Sequence, residues 1–366
     1  MAKAAPAPPP PSRRWRRTPL FVSLATLLGL VVAIGMVEIG LRVFDPIGRN
    51  YETEFTSYRN HAVDYAWKDD KTDFDLDGTL YRHKPDLDLD LGSFRLRTNA
   101  LGFRGPEVKK DKPAGTCRIL VLGDSVAFGW GVNDEVTFLR RWEHELSLRP
   151  NGRRCEVVNT GHPMYDTTQE AALLRDEGMA LHPDVVLLVY VVNDIEPTRD
   201  VVETDYLHRA GHPEEALPSI EDRWTRMAAF VKPLLPATAA FLQLQSNPAE
   251  RLRRALPAGT DFVPELFGKG PRGWERSKQA LLLIRALCAD ARVPFLLLDN
   301  TMPALRALPG FCHDNGIDYD ELRLTEAEQK LPIYNSRLDT HSNALGNELM
   351  LQKLQAVVSK RPSLLQ

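Results

Sequence analysis

The chain has 366 residues, of which 43% are hydrophobic and 26% are charged, a composition typical of a folded protein with a large buried core. This length allows one large α/β domain with extensions. The formal net charge of −3 gives no overall positive field that would attract nucleic acid, so we expect no nucleic-acid partner.

The first 41 residues have the pattern of a basic tail followed by a membrane anchor. Residues 1–19 combine an Ala/Pro-rich stretch with four arginines and should be disordered. Residues 20–41 are the predicted transmembrane signal anchor, because 20–37 are apolar and uncharged over about the minimum spanning length. The positive-inside rule then predicts a single-pass inner-membrane protein with a cytoplasmic N-terminus and the remainder in the periplasm or outside. Glu38 and Arg42, spaced i,i+4, can pair where the helix leaves the bilayer.

A cleaved signal peptide is the alternative interpretation of the same stretch. Ala33, Ile34 and Gly35 form a small-x-small pattern that signal peptidases can cut. The apolar run is longer than the roughly 7–15 residues usual for a signal peptide, so we favour a retained anchor.

Residues 42–115 are polar and form a predicted stalk with a β-hairpin that packs on the following domain. A weak helical pattern covers 58–68. Residues 78–85 and 94–99 have the composition of two short strands around an acidic turn, which predicts the hairpin.

Residues 116–366 alternate between apolar runs and segments of helical period. This alternation predicts right-handed crossovers and a three-layer α/β/α sandwich with a parallel sheet. The predicted strands are 118–122, 156–159, 184–192 and 294–299, and the predicted helices are 138–148, 168–181, 274–291, 304–315 and 343–359.

A proline-rich insertion at about 196–273 interrupts the alternation. Its apolar patches and a group of arginines allow a lid or a surface that rests on the membrane. We favour a cap over the sheet edge, which would shape the substrate pocket because the insertion leaves the sheet directly after a predicted strand.

Four cysteines in an exported domain suggest disulfides. Cys117 lies six residues before Gly123 and Cys155 six before Gly161, so parallel neighbouring strands that end level would place the two cysteines opposite each other. Cys288 and Cys312 would then pair by elimination. Four buried thiols are the alternative. The chain has no Cys-x-x-Cys pattern, so we expect no zinc site and no other metal site.

Polar residues follow three of the apolar runs directly. Asp124 and Ser125 come after the first, Gly161 after the second, and Asn193 after the third. Carboxyl ends of parallel strands line the ligand crevice of an α/β sheet, so Ser125 would be presented there on a rigid mount. A serine in such a place is by itself most often a turn or cap residue.

Together with Asp339 and His341 near the C-terminus, these residues resemble the four blocks of the SGNH (GDSL) hydrolases. The resemblance runs from about residue 116 to the C-terminus, roughly two thirds of the chain, and implies the flavodoxin-like arrangement of that family. Two positions depart from its usual pattern. Val191 stands where the third block has glycine, and Leu338 stands where the last block has aspartate, which puts Asp339 only two residues before His341.

The resemblance implies a role for each motif residue. Ser125 would be the nucleophile, His341 its base, and Asp339 the acid that orients the base. The oxyanion would be held by the backbone N–H groups of Ser125 and Gly161 and by the side-chain amide of Asn193. No cofactor is implied.

Other residues near the motifs receive no catalytic role. We expect Asp124 and Asp194 to brace the loops. His162 and Tyr165 can touch substrate, although a solvated loop is the simpler expectation. Residues 99–105 resemble a segment that precedes the catalytic domain in many anchored members of the family, and we expect this segment to pack on the domain.

The expected activity is that of an exported serine esterase acting on O-acyl, plausibly acetyl, esters of an envelope carbohydrate or lipid, with envelope polysaccharide assembly proteins as potential partners. An O-acetyltransferase that uses the same acyl-enzyme is the alternative, with a sugar hydroxyl replacing water. A non-catalytic glycan-binding scaffold would predict loss of the motif residues, and all are present. A phosphate-binding loop is disfavoured, because Gly129 and Gly131 lack the further glycine and lysine.

The predicted topology can be tested with an alkaline phosphatase reporter, which acquires its disulfides in the periplasm. A fusion after Arg49 should be active, and a fusion after Arg17, which precedes the apolar run, should be inactive. An Arg49 fusion that accumulates without activity would contradict export.

Overall fold

The computed structural model describes residues 18–44, 50–65, 79, 81–148, 154–195, 232, 234–235, 238–239, 272–302, 304–337 and 339–365. The chain divides into two compact units, Met1–Ile47 with Glu221–Gln245 and Gly48–Ile220 with Ser246–Gln366. The predicted tail up to residue 17 and most of the predicted insertion lie outside the described residues.

The first unit contains the long apolar helix α1, Thr18–Phe44. Within the described ranges, one stretch, Pro19–Val43, is long and apolar enough to cross a membrane, and an N-terminal signal sequence would have the same features. Arg42 Nε donates to Glu38 at 2.8 Å, so the predicted ion pair is confirmed. The same carboxylate accepts the backbone N–H and the hydroxyl of Thr238, both at 2.9 Å, which connects α1 to a residue of the insertion.

The second unit begins with a helix and two pairs of short antiparallel strands. The helix is α2 (Asn50–His61). Strand β1 (Val63–Tyr65) pairs with β2 (Tyr81–His83), and β3 (Asp88–Asp90) pairs with β4 (Arg95–Arg97). The hairpin of the N-terminal extension is therefore β3–β4.

The predicted helical segment near 58–68 is confirmed only over its first residues, because α2 ends at His61 and β1 follows, while residues 66–68 lie outside the described residues. The predicted pairing of 78–85 with 94–99 is wrong, because the acidic stretch predicted as a turn contains strand β3, and β2 pairs with the earlier β1 instead. Charge explains the pairing of β3, because Asp88 lies opposite Arg97 and the aspartate at the other end of β3 also faces an arginine. Opposite charges across an antiparallel pair stabilise it.

A five-stranded parallel sheet forms the centre of this unit. Its strands are β5 (Thr116–Gly123), β6 (Arg154–Asn159), β7 (Val185–Tyr190), β8 (Phe295–Asp299) and β9 (Asp318–Glu321). They lie in the order β6-β5-β7-β8-β9, and every neighbouring pair is parallel. This is the flavodoxin-like order, in which the ligand crevice opens between the first and third strands, here β5 and β7.

Helices cover both faces of the sheet. In chain order they are α3 (Ser125–Phe128), α4 (Phe138–Ser147), α5 (Thr167–Leu173), α6 (Arg272–Ala291), α7 (Ala307–Asp314), α8 (Glu326–Gln329) and α9 (Ala344–Ser359). Helices α4 and α9 share one apolar core with the sheet, and α5, α6 and α7 share the other. Alternate residues of the strands supply the two cores, as in Ile119 and Leu120 of β5. The predicted three-layer α/β/α sandwich is confirmed.

Arg104 connects the N-terminal extension to the end of α3. Its buried guanidinium donates to the carbonyls of Phe128 at 2.9 Å, Gly129 at 2.7 Å and Val132 at 2.5 Å. The carbonyls at the end of a helix have no partner within the helix, so these bonds hold the loop that follows α3 in place. The segment 99–105 therefore packs on the domain, as expected.

Cys117 and Cys155 are in register, but the structure contains neither predicted disulfide, and all four cysteines are buried thiols. Cys117 and Cys155 are partners in the pairing of β5 and β6, which confirms the predicted strand order. A strand spacing of about 4.8 Å lies within the range of Cα separations that a disulfide spans, so the register by itself does not prevent the bond. Burial raises the pKa of Cys288 on α6 and of Cys312 on α7 to about 12, which favours the protonated thiols.

Two stacked histidines join β2 to the loop after β6. The rings of His83 and His162 lie 3.9 Å apart with an interplanar angle of 11°. His162 Nδ1 lies 2.9 Å from the carbonyl of Thr160 and must donate to it, and its Nε2 accepts the N–H of His83 at 3.3 Å. His83 Nε2 lies 2.7 Å from the hydroxyl of Tyr58. The expectation that His162 and Tyr165 lie in a solvated loop is wrong, because both are buried in this contact.

The stacked histidines make the fold sensitive to acid. Burial lowers the pKa of His83 to about 3, and burial and the neighbouring His83 lower that of His162 well below its usual range, so both are neutral in the folded state. Their stabilising contribution is complete above the unfolded pKa of about 6.5 and is lost as pH falls below it. At pH 5 this should cost roughly 2 kcal/mol for each histidine.

We therefore predict that lowering the pH from 7.5 to 5 lowers the Tm of His162→Gln less than that of the wild type, because one of the two histidines is removed. Thermal melts of both proteins over the pH series measure this difference. His313, whose side chain is 89% exposed, provides the control, and His313→Gln should leave the dependence unchanged. A full dependence in His162→Gln would show that the stacked pair is not its origin.

Candidate active site

Ser125 lies where the central strand turns into a helix. Strand β5 ends at Gly123, Asp124 caps α3 by accepting the N–H of Val126 at 2.8 Å, and Ser125 is the first residue of that helix. Because β5 is buried along its whole length, the serine is carried on a rigid support at the carboxyl edge of the sheet. Ser125 is 9% exposed.

His341 and Asp339 come from the loop before α9 and approach Ser125 from the C-terminal side of the chain. His341 Nε2 lies 2.7 Å from Ser125 Oγ, and His341 Nδ1 lies 2.5 Å from Asp339 Oδ1. Asp339 makes this contact although it lies only two residues before His341 in the chain. The backbone N–H of His341 also donates to Asp339 Oδ1, at 3.1 Å. The three side chains thus form one chain of hydrogen bonds that runs from Ser125 through His341 to Asp339.

Asn335 holds the other oxygen of Asp339 and was not found from the sequence. Its Nδ2 donates to Asp339 Oδ2 at 3.0 Å and lies 3.4 Å from the carbonyl oxygen of Trp130. Gly131 leaves room for this amide, since a Cβ at that position would lie 1.9 Å from Asn335 Nδ2, and its φ of +81° favours glycine. Gly131 therefore serves the turn beside Asp339, whereas Gly129 ends α3 in the left-handed conformation.

Asn193 and Ser125 meet at the carboxylate of Asp124. Asn193, in the 3-10 turn Val192–Ile195 after β7, donates from Nδ2 to Asp124 Oδ2 at 2.8 Å, and Ser125 Oγ lies 3.2 Å from the same oxygen. Burial raises the pKa of Asp124, while its hydrogen bonds oppose that effect. Asp124 thus joins the turns that follow β5 and β7, so its bracing position is as expected, with a direct contact to the serine in addition.

Gly161 lies beside the turn that carries Ser125. The pairing of β5 with β6 continues beyond the strands, since Thr160 N–H donates to Val121 at 3.0 Å and His162 N–H donates to Gly123 at 3.1 Å. A Cβ on Gly161 would lie 2.5 Å from the backbone nitrogen of Phe128, so a larger residue would push against α3. Its own N–H donates to the side chain of Asn159 at 3.0 Å.

Two further acids lie deep behind the site. Asp194 accepts the N–H of Val191 at 2.6 Å and the hydroxyl of Thr167 at 2.9 Å, which fixes the turn that carries Asn193. Burial raises the pKa of both Asp194 and Glu170 well above the usual range, and the carboxyls nearby raise them further. Asp194 therefore braces the loop after β7, as expected.

Helix α2 borders the site on the His341 side. The ring of Tyr51 lies 5.9 Å from that of His341 and 6.0 Å from that of Trp130, and Trp130 lies 6.1 Å from His341. The sequence gives little signal for Tyr51, because α2 is short and polar and precedes the motifs by more than 70 residues.

In the ranges that the structure describes, no group of three or more His, Cys, Asp or Glu side chains is arranged to hold a metal ion. The side chains gathered around Ser125 are instead a hydroxyl, an imidazole, two amides and two carboxylates. This set suits proton transfer and the stabilisation of an anion.

No protein-family model and no curated protein matches the chain. Among solved structures, it is similar to an acetyl xylan esterase at 14% identity and a TM-score of 0.39, covering 66% of this chain and 99% of that one. It is also similar to a member of the lipolytic protein G-D-S-L family from Veillonella parvula, at 12% identity and a TM-score of 0.37, covering 67% of this chain and 99% of that one. A third similar structure is the esterase EstA from Pseudoalteromonas sp., at 11% identity and a TM-score of 0.39, covering 66% of this chain and 97% of that one.

Proposed function

We propose that this chain is a serine ester hydrolase of the SGNH (GDSL) type, with Ser125, His341 and Asp339 as its catalytic residues. The observation that carries the proposal is the pair of contacts, 2.7 Å from Ser125 Oγ to His341 Nε2 and 2.5 Å from His341 Nδ1 to Asp339 Oδ1. Serine is a weak nucleophile unless a base takes its proton, and this arrangement supplies the base and the acid that orients it.

In the first half of the reaction, Ser125 Oγ attacks the ester carbonyl carbon and its proton passes to His341 Nε2. His341 then donates that proton to the departing alcohol oxygen, and an acyl group remains on Ser125. In the second half, His341 takes a proton from water, the water oxygen attacks the acyl carbon, and the proton returns to Ser125 Oγ as the acid leaves.

The oxyanion is held by the N–H of Ser125, the N–H of Gly161 and the amide of Asn193. An amide nitrogen has two N–H groups, so Asn193 can keep its bond to Asp124 and point the other at the oxyanion. Gly161 donates to Asn159 in the structure and would exchange this bond for the oxyanion.

We further propose that the enzyme is exported, with residues 20–41 as its anchor, residues 42–115 as an extension and 116–366 as the catalytic domain with its insertion. O-acyl esters of an envelope carbohydrate or lipid would be its substrates. The support is the arginine cluster before the apolar run, together with a single N-terminal helix of spanning length in the described part of the chain.

Ser125→Ala tests the nucleophile directly. In the full chain purified in detergent, turnover of p-nitrophenyl acetate should fall by more than about 10³-fold, because no covalent intermediate can form. Labelling by a fluorophosphonate probe should disappear, with an unchanged Tm. Ser359 is exposed on α9, so Ser359→Ala should keep both the turnover of p-nitrophenyl acetate and the labelling by the probe. A Ser125→Ala variant that is still labelled would refute the proposal.

Asp124→Asn tests whether this carboxylate positions Asn193. The new amide would present N–H groups to the Asn193 amide, so we expect kcat to fall by roughly tenfold to a hundredfold with little change in KM, while the helix cap survives. Asp166→Asn is the matched control, because Asp166 caps α5 through the N–H groups of Thr168 and Gln169 and makes no contact with Ser125 among its described hydrogen bonds.

A double-mutant cycle separates this role from a general loss of structure. Asn193→Ala should cost much less in the Asp124→Asn background than in the wild type, because Asn193 is already displaced there. Equal costs in both backgrounds would contradict the coupling.

A further inference from the structure

Helix α2, which precedes the catalytic domain in the chain, supplies one side chain directly at the catalytic histidine. The ring of Tyr51 lies 5.9 Å from that of His341, tilted by 46°. It also meets Trp130 edge to face at 6.0 Å and stacks on Phe55 at 5.9 Å. Tyr51 is partly buried, so its side chain keeps some contact with solvent.

Several contacts hold α2 firmly in this position. Glu54 accepts the N–H of Ser93 at 2.8 Å and its hydroxyl at 2.9 Å, which ties the helix to the β3–β4 hairpin. Phe55 and Tyr58 pack edge to face on Trp130 at 5.5 Å and 5.4 Å. Further along, the Tyr58 hydroxyl reaches His83. Tyr51 is therefore fixed by a folded scaffold that reaches from the hairpin to the loop after α3.

The position of Tyr51 assigns it to one side of the substrate. His341 gives its proton to the departing alcohol, whereas Asn193 and Gly161 face the carbonyl oxygen in the proposed mechanism. A side chain that touches His341 on the α2 side thus borders the alcohol portion of the ester. This step rests on the proposed function.

We propose that Tyr51 lines the alcohol subsite and selects a sugar as the alcohol portion of the substrate. A pyranose ring offers C–H groups to an aromatic face and hydroxyl groups to a phenol, and tyrosine meets both needs with one rigid side chain. An alkyl alcohol would bury the phenol oxygen without a hydrogen bond, at a cost in free energy.

The surroundings of Tyr51 support this role. Burial, with the carboxylates of Asp339 and Asp124 nearby, raises the pKa of the phenol above its ordinary value, so its hydroxyl stays protonated and able to donate. A protonated phenol beside the leaving-group side of the site is suited to a sugar hydroxyl or ring oxygen.

The test measures the activity of the full chain in detergent on two acetate esters that differ only in the alcohol. These esters are a mono-O-acetyl methyl pyranoside and hexyl acetate. Tyr51→Ala should lower kcat/KM for the acetylated pyranoside by about tenfold, mainly through KM, and change that for hexyl acetate by less than about threefold. Tyr51→Phe keeps the ring and should show a smaller, intermediate loss for the sugar ester. Thr56 is exposed on the same helix, so Thr56→Ala should leave kcat/KM for both esters unchanged.

The outcomes separate this inference from the proposed function. Equal losses on both esters would show that Tyr51 only supports His341, and no loss on either would remove it from the subsite. A larger loss on hexyl acetate would point to a lipid alcohol instead. Each of these results overturns the inference while Ser125→Ala remains inactive, whereas turnover by Ser125→Ala would overturn the proposed function itself. If Tyr51→Ala fails to fold by its Tm, the comparison of Tyr51→Phe with wild type decides, and an unchanged ratio between the two esters refutes the sugar contact.

Discussion

The carboxylate of Asp124 is the interaction on which the arrangement of the site depends. It caps α3, receives the amide of Asn193 from the turn after β7, and lies 3.2 Å from the hydroxyl of Ser125. A buried carboxylate is costly unless hydrogen bonds satisfy it, so the turns after β5 and β7 must converge on it. This convergence occurs at the switch point of the sheet, where the strand order reverses and a crevice forms outside the carboxyl ends of β5 and β7. One carboxylate thus holds the proposed nucleophile and one proposed oxyanion donor at a fixed distance from each other.

Much of this could be predicted from the sequence because the central strands are buried on both faces. Such strands are continuous apolar runs, and their ends are marked by the first polar residues, so Ser125, Gly161 and Asn193 could be assigned to one edge of the sheet. The equal spacing from each cysteine to its glycine also predicted the register of β5 with β6, which the structure confirms. The disulfide inferred from that register does not form in the structure, where Cys117 and Cys155 are buried thiols, although the spacing of neighbouring strands is compatible with the bond.

Other elements escaped prediction because their partners are distant or their patterns are polar. Strand β9 has the sequence Asp-Tyr-Asp-Glu, with no apolar period, and Arg361 from the C-terminal end pairs with two of its aspartates. Strand β1 pairs with β2 across a long segment, and local patterns carry no information about such pairing. Asn335 lies outside the resembling motifs, and its contact with Asp339 depends on the backbone path allowed by Gly131. The burial of His162 similarly depends on β2, which stacks His83 onto it.

These distant contacts change where the functional unit begins. The motif resemblance starts near residue 116, yet Arg104 secures the loop that follows α3, and α2 packs on Trp130 beside His341. Removing the segment before β5 would leave the carbonyls of Phe128, Gly129 and Val132 without the guanidinium and expose the apolar rings that α2 covers. The hydrogen-bond chain of Ser125, His341 and Asp339 comes from the α/β domain, whereas the extension supplies Tyr51, one of the aromatic side chains beside His341. In the proposed mechanism the departing alcohol takes its proton from His341, so substrate choice can diverge through α2 while the proposed chemistry on the sheet stays the same.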